Sequence, residues 1–166
     1  MFFKALEALS HVMKIDSARA HCDVPCGIYD PHQAQVAALT VIRMIDLMTE
    51  LKAAHNPESL DYQNSVGRYI AVKEEHAELV KREVRVIFGD YIKKEQIEKY
   101  PELPELAHKI YQQASKARQG TSREAALELL RMVNRFAEIF WETKGVQVKR
   151  VKAPYKPGEE VVYPVL

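Results

Sequence analysis

A helical rhythm of apolar residues, punctuated by proline and glycine, constrains this chain most. Between Asp30 and Gly145 apolar residues recur every three or four positions, which gathers them on one face of a helix. Asp30-Pro31 reads as a helix start, with Asp as N-cap and Pro at the first helical position. Helix 1 then runs to about Leu51, with Ala34, Ala37, Ala38, Val41, Ile45 and Met48 inward. Asn56 capping and Pro57 opening start helix 2, which reaches about Phe88 on a stripe of Tyr62, Val66, Tyr69, Ala77, Val80, Val84 and Ile87. Gly89-Asp90 loosens or ends it. Pro101 and Pro104 mark helix 3, with Leu103, Leu106, Ala107, Ile110 and Ala114 inward. Thr121-Ser122-Arg123-Glu124 has the form of a capping box for helix 4, striped by Ala126, Leu130, Val133, Ala137, Phe140 and Trp141 and stopped by Gly145. Four such helices with short connections predict an all-α, antiparallel four-helix bundle.

The remaining segments lie at the two ends. Residues 1–20 form a leader-sized piece with helical spacing at Phe2, Phe3, Leu6, Leu9, Val12 and Met13. Ala18-Arg19-Ala20 has the small residues of a cleavage site, while Lys4, Glu7 and Lys14 interrupt a secretory core. The segment is either removed or kept as a short first helix. Residues 145–166 read as an extended C-terminal tail, with Pro154, Pro157-Gly158 and Pro164 breaking regular structure. This tail either crosses to a neighbouring subunit through Tyr155, Val161, Val162 and Tyr163 or straps its own bundle.

Bulk properties exclude several classes. The 166 residues suit one domain, and a net charge of +1 implies no strong polyelectrolyte partner, nucleic acid included. Lys4, Lys14 and Arg19 outweigh Glu7 and Asp16 by one, so the chain without its leader is formally near zero. Any attraction of an anion must then come from local charge. No run is long and apolar enough for a membrane span. There is no Gly-rich phosphate loop and no basic–aromatic strip. His11, His32, His55, His76 and His108 are scattered without helical metal spacing. Glu74, Glu75 and Glu78 lack the Glu-x-x-His partners of a di-metal bundle and read as a solvated face.

Chemistry concentrates at His21-Cys22-Asp23-Val24-Pro25-Cys26-Gly27-Ile28-Tyr29-Asp30-Pro31, which holds both cysteines of the chain. Taken alone, two cysteines three residues apart are open to a strained disulfide, half a zinc site, inert thiols or a redox metal. They are too few for an iron–sulfur cluster and miss the C-x-x-C spacing of thioredoxin-like proteins.

The whole eleven-residue string resembles the nickel-binding hook of nickel-containing superoxide dismutases. In that family the hook begins the mature chain after a leader is cut away. Lys73 to Leu79, Asp90-Tyr91, Glu98 to Leu103 and Phe140 to Lys144 also resemble family segments. The resemblance implies a leader at 1–20, a four-helix bundle at 21–144 with the hook at 21–29, and six subunits in the assembly. It implies superoxide as substrate, one nickel ion per subunit, a maturation protease and a cytoplasmic location.

Cleavage before His21 would set its α-amine, the Cys22 amide nitrogen and the Cys22 thiolate in sequence along one backbone, closing two adjacent chelate rings. With the Cys26 thiolate this makes a square of two nitrogens and two sulfurs, a geometry that suits Ni(II) or Cu(II) and not zinc. The His21 imidazole is then free as an axial ligand. By resemblance, Tyr29 stands over the open face of the metal and Tyr91 supports it by hydrogen bonding. Asp23 and Pro25 shape the hook, the latter through a cis Val24–Pro25 bond. Two positions depart from the family. A Glu and an Arg that steady the axial imidazole are replaced here by Ala37 and His76, so His76, a backbone carbonyl or water is expected to hold His21. The competing reading is a non-catalytic nickel- or copper-binding, or thiol redox-sensing, helical bundle.

Overall fold

A computed structural model describes residues 27–166 of the chain. The leader, His21, Cys22, Asp23, Pro25, Cys26 and the expected cis bond lie outside the described residues. Four long helices form the body: α1 (His32–Ala54), α2 (Leu60–Val86), α4 (Leu103–Gln119) and α5 (Arg123–Thr143). A short α3 (Lys94–Lys99) precedes α4. Helix α1 packs on α2 and α5, and α4 packs on the same two, closing an up-down ring. Its core is led by Ile42, Val80, Val84, Leu103, Ile110, Leu129, Val133, Phe136, Ile139 and Phe140, all essentially inaccessible.

The caps differ from the expected ones by one to three residues. Asp30 does accept the His32 amide at 2.8 Å, while Pro31 takes the N-cap position. Helix α2 starts at Ser59, whose hydroxyl accepts the Tyr62 amide at 3.2 Å. Asn56 instead folds the preceding turn by accepting the Glu58 amide. Ser122, not Thr121, caps α5 by accepting the Ala125 amide at 3.2 Å. In each case the side chain two or three residues before the amide it accepts wins, because that spacing sets the hydroxyl or carboxylate over the open N–H.

The α2 stripe is buried only from Lys73 onward. Tyr62, Val66 and Tyr69 are half-buried, and Leu60 is 81% exposed. The reason is length: α2 extends for about 40 Å and its neighbour α4 for about 25 Å, so the first turns of α2 overhang the ring. Where α2 enters the core, Lys73 is buried and donates to the carbonyls of Ala117, Arg118 and Gly120, at 3.2 Å for the first and 2.6 Å for the last. One ammonium thus satisfies the open carbonyl end of α4. Burial pulls the Lys73 pKa down from its ordinary value, against the pull of Glu74. Glu74, Glu75 and Glu78 are exposed, and Glu78 pairs with Lys81 and Arg118.

The tail is extended and pairs with itself. It forms an antiparallel hairpin, β1 (Val148–Lys152) with β2 (Glu160–Pro164), in the register Val148↔Pro164 to Lys152↔Glu160. It lies on its own bundle, with Val161 and Val162 buried. Gln35 of α1, fully buried, donates its amide to the Val162 carbonyl at 3.1 Å and accepts the Val162 N–H at 2.6 Å. Asn134 of α5 donates to the Glu160 carbonyl at 2.8 Å. Two helix side chains therefore complete the hydrogen bonding of an edge strand that would otherwise be buried with open groups. Among the described residues no helix is long and apolar enough to cross a membrane.

Replacing Gln35 by Leu strands both polar groups of Val162 in the interior. We expect a loss of about 2–5 kcal/mol in denaturant unfolding and faster hydrogen exchange at the Val162 amide. An unchanged exchange rate there would show that the clamp does not hold the strand.

Candidate metal centre

The described chain enters the bundle at Gly27. Its φ of +71° lies in the left-handed region, which a side chain at this position would strain. Glycine therefore permits the turn directly after Cys26. Two residues later the half-buried Tyr29 sets its ring 5.6 Å from that of Tyr91, tilted by 44°. Tyr91 in turn lies 5.0 Å from Phe140, and Phe140 meets Trp141 edge-on at 5.0 Å. A continuous aromatic run thus leads from the metal-binding string into the core of α5.

Local chain geometry places each member. Helix α2 does not simply stop at Gly89-Asp90. It widens into a π turn, Ile87–Tyr91, closed by the Ile92 amide on the Ile87 carbonyl at 3.1 Å. The wider turn rotates the next residues about the helix axis, a device that recurs at functional sites. Buried Ile87 and Ile92 anchor its two ends, and Tyr91 between them faces Tyr29. The hydroxyl of Thr143 donates to the Phe140 carbonyl at 2.6 Å. Its single proton is then committed, so the Tyr91 hydroxyl is the donor in the 2.7 Å bond to Thr143. The described link between Tyr29 and Tyr91 is ring against ring, while the Tyr91 proton points into α5.

Ala37 and His76 stand at one height. Each lies about four and a half turns from the connection between antiparallel α1 and α2. Ala37 is buried, and His76 is half-buried with Nδ1 2.8 Å from the Val72 carbonyl. A carbonyl only accepts, so Nδ1 carries the hydrogen and Nε2 is the nitrogen left to accept or to protonate. About 15 Å of helix separate His76 from the end of α2. The two departures therefore lie at one height on adjacent helices, in a layer distinct from the Tyr29–Tyr91 wall.

Thr143 and Lys144 also pack on Tyr91, and residue type alone does not mark them as site residues. Lys144 lies over the Tyr91 ring, with Nζ 4.6 Å from the centroid, and 5.2 Å from that of Phe140. The signal in the sequence was their position three and four residues after Phe140. Among the described residues no three His, Cys, Asp or Glu side chains gather as a metal site.

A four-helix bundle whose cysteine–histidine string runs into an aromatic wall has the outline of a small redox metalloprotein. The chain belongs to the nickel-containing superoxide dismutase family, whose sequence profile matches residues 16–144. It is 36% identical over 125 residues to a superoxide dismutase [Ni] of Streptomyces coelicolor, spanning 75% of this chain and 88% of that protein. The corresponding protein of Streptomyces seoulensis is 37% identical over the same length. The fold is similar to a native nickel superoxide dismutase structure, with a TM-score of 0.65 and 35% identity across 75% of this chain and 99% of that one. A structure with nickel ligation of the oxidised state matches equally, at a TM-score of 0.65 and 36% identity.

Replacing Tyr91 by Phe removes one half-buried hydrogen bond and leaves the ring stack. The expected cost is about 0.5–1.5 kcal/mol, with Thr143→Val costing a similar amount and the double variant less than the sum. Full additivity in thermal unfolding would show that the two hydroxyls are not coupled.

Proposed function

We propose that this chain disproportionates superoxide, 2 O2⁻ + 2 H⁺ → O2 + H2O2, at a nickel ion held by His21, Cys22 and Cys26. The observation that carries the reading is the intact string from His21 to Pro31 in a chain that belongs to the family. The donor chemistry fits the metal. Two thiolates, an amide nitrogen and an α-amine are the set that a square-planar cation takes. Nickel, when bound, supplies a one-electron couple that accepts an electron from one superoxide and returns it to the next.

The protein's own groups do the rest. Tyr29 follows Cys26 by three residues and bounds the substrate pocket, and Tyr91 backs it through the ring contact at 5.6 Å. Asp23 and Pro25 shape the turn between the two thiolates, and backbone N–H groups beside Asp23 and Cys26 receive the anion. His76 takes the place of the family's Arg in steadying the His21 imidazole. Supporting this, its ring is fixed through Nδ1 on Val72, and it shares a height with the missing carboxylate position at Ala37. Residues 1–20 are a leader cut off in the cytoplasm by a dedicated protease. The mature chains assemble, as six subunits by resemblance, and the overhanging first turns of α2, with Leu60 and Ile70 exposed, supply apolar surface for such contacts.

The ligand set needs the free amine of His21, so the full-length chain loaded with nickel is expected to be inactive. Trimmed to begin at His21, it should hold about one nickel per subunit and turn over superoxide, releasing protons on metal uptake. N-terminal sequencing, metal analysis and a superoxide assay on both forms check this; full activity from a chain beginning at Met1 would sink the ligand assignment.

For His76, the expected result is that His76→Gln keeps the fold and changes both the activity profile and the oxidised-nickel EPR signal, because the ring proposed to steady the His21 imidazole is lost. Superimposable profiles, with an unchanged oxidised-nickel EPR signal, would remove His76 from the site.

A further inference from the structure

Helix α5 ends in a tightly defined way. Gly145, at φ +70°, returns its amide to the Glu142 carbonyl at 3.0 Å, and the Val146 amide returns to Trp141 at 3.0 Å. This double closure fixes Lys144 as the C-cap of the helix, directly after Thr143. From there its ammonium lies over Tyr91 and Phe140, at 4.6 and 5.2 Å from the centroids. No carboxylate among the described residues pairs with it. Glu142, two residues away, is engaged by Arg135 at 3.6 Å. Ring faces hold a cation by their negative quadrupole without cancelling its charge, so Lys144 is placed and, among the described residues, left unneutralised.

We propose that Lys144 is the positioning cation for the anionic substrate, a fixed positive charge that draws superoxide to the Tyr29 face of the wall. The identity of the anion rests on the dismutase reading. The placement rests on the geometry: the ammonium touches Tyr91, and Tyr91 touches Tyr29. It therefore lies no more than about 10 Å from the centre of the Tyr29 ring, which is the screening length at 0.1 M salt. The chain without its leader is formally near zero in charge, so little general field competes with one local ammonium. At this range and low salt a single charge raises the local concentration of a monovalent anion about twofold in a water-like medium, falling to about 1.3-fold at 0.1 M salt, and more where the pocket excludes water.

The test compares wild type with Lys144→Met, Lys144→Arg and Lys52→Met. Methionine keeps the alkyl packing on the rings, arginine keeps the cation, and Lys52 lies in the last turn of α1, about 30 Å along the helix from its start. One readout needs neither metal nor turnover. Trp141 is the single tryptophan of the chain, so its quenching by iodide, divided by its quenching by neutral acrylamide, reports the local potential beside Lys144. We expect that ratio to fall about twofold in Lys144→Met, to recover in Lys144→Arg and to hold in Lys52→Met. The second readout is kcat/KM of the nickel-loaded, trimmed protein against ionic strength. Lys144→Met should lose about two- to fivefold at low salt, approach wild type at high salt and show a flatter slope. A wild-type quenching ratio in Lys144→Met, or a slope unaltered by it, would overturn the proposal. A Lys144-dependent iodide response in a wild type without superoxide turnover would overturn the dismutase reading instead.

Discussion

The packing of Tyr91 between Tyr29 and Phe140 joins the segment before α1 to the hydrophobic core, and the order of that end of the described chain depends on it. Each aromatic contact of this kind contributes about 0.5–1.5 kcal/mol beyond its buried area. The direction is as important as the energy. Phe140 is inaccessible and locked in α5, the π turn fixes the angle at which Tyr91 leaves α2, and the bond to Thr143 fixes where its hydroxyl ends. Tyr29 thereby rests on a surface with the rigidity of the core, although it lies outside every helix. This surface keeps its shape while the chain beside it turns sharply, as it does at Gly27.

The segment Lys73-Glu74-Glu75-His76 divides its work by helix face. Lys73 points inward and closes the end of α4 with its ammonium. Glu74 and Glu75 are exposed, and His76 is turned along the helix toward Val72. The capping by Lys73 ties the middle of α2 to the far end of α4, so the overhanging turns of α2 begin where that tie ends. Residues adjacent in sequence thus face different sides of one helix, with only Lys73 committed to the packing of α4.

The four helices were legible because their periodicity survives single exceptions, and Gly145 ended α5 where its backbone freedom suggested. Other features depend on partners remote in sequence. Gln35 reads as an ordinary polar residue on a helix, and only Val162, 127 positions away, explains its burial. The hairpin was hidden because its strands are short and its prolines flank them. Helix α3 was hidden because six residues carry too little pattern to separate from a loop. At the site, the residue types of the hook reveal their own chemistry. The wall behind it does not, since Tyr91, Thr143 and Lys144 meet only when the ends of α2 and α5 come together.

The hairpin lies beyond the stretch that matches the family, yet it bears on the same end of the molecule. Gln35 sits in the first turn of α1, six residues after Tyr29, and His32 lies against Tyr163 with ring centroids 5.5 Å apart. The start of α1 is therefore held twice: by the hairpin on one side and, through Tyr29, by the Tyr91 wall on the other. Helix N-termini fray first, because their opening amides lack partners within the helix. Here the amide of His32 is taken by Asp30 and the side chain of Gln35 by β2. The segment that enters this helix through Tyr29 gains its direction from both restraints. The C-terminal hairpin is thus a support for the N-terminal site, built from the opposite end of the chain.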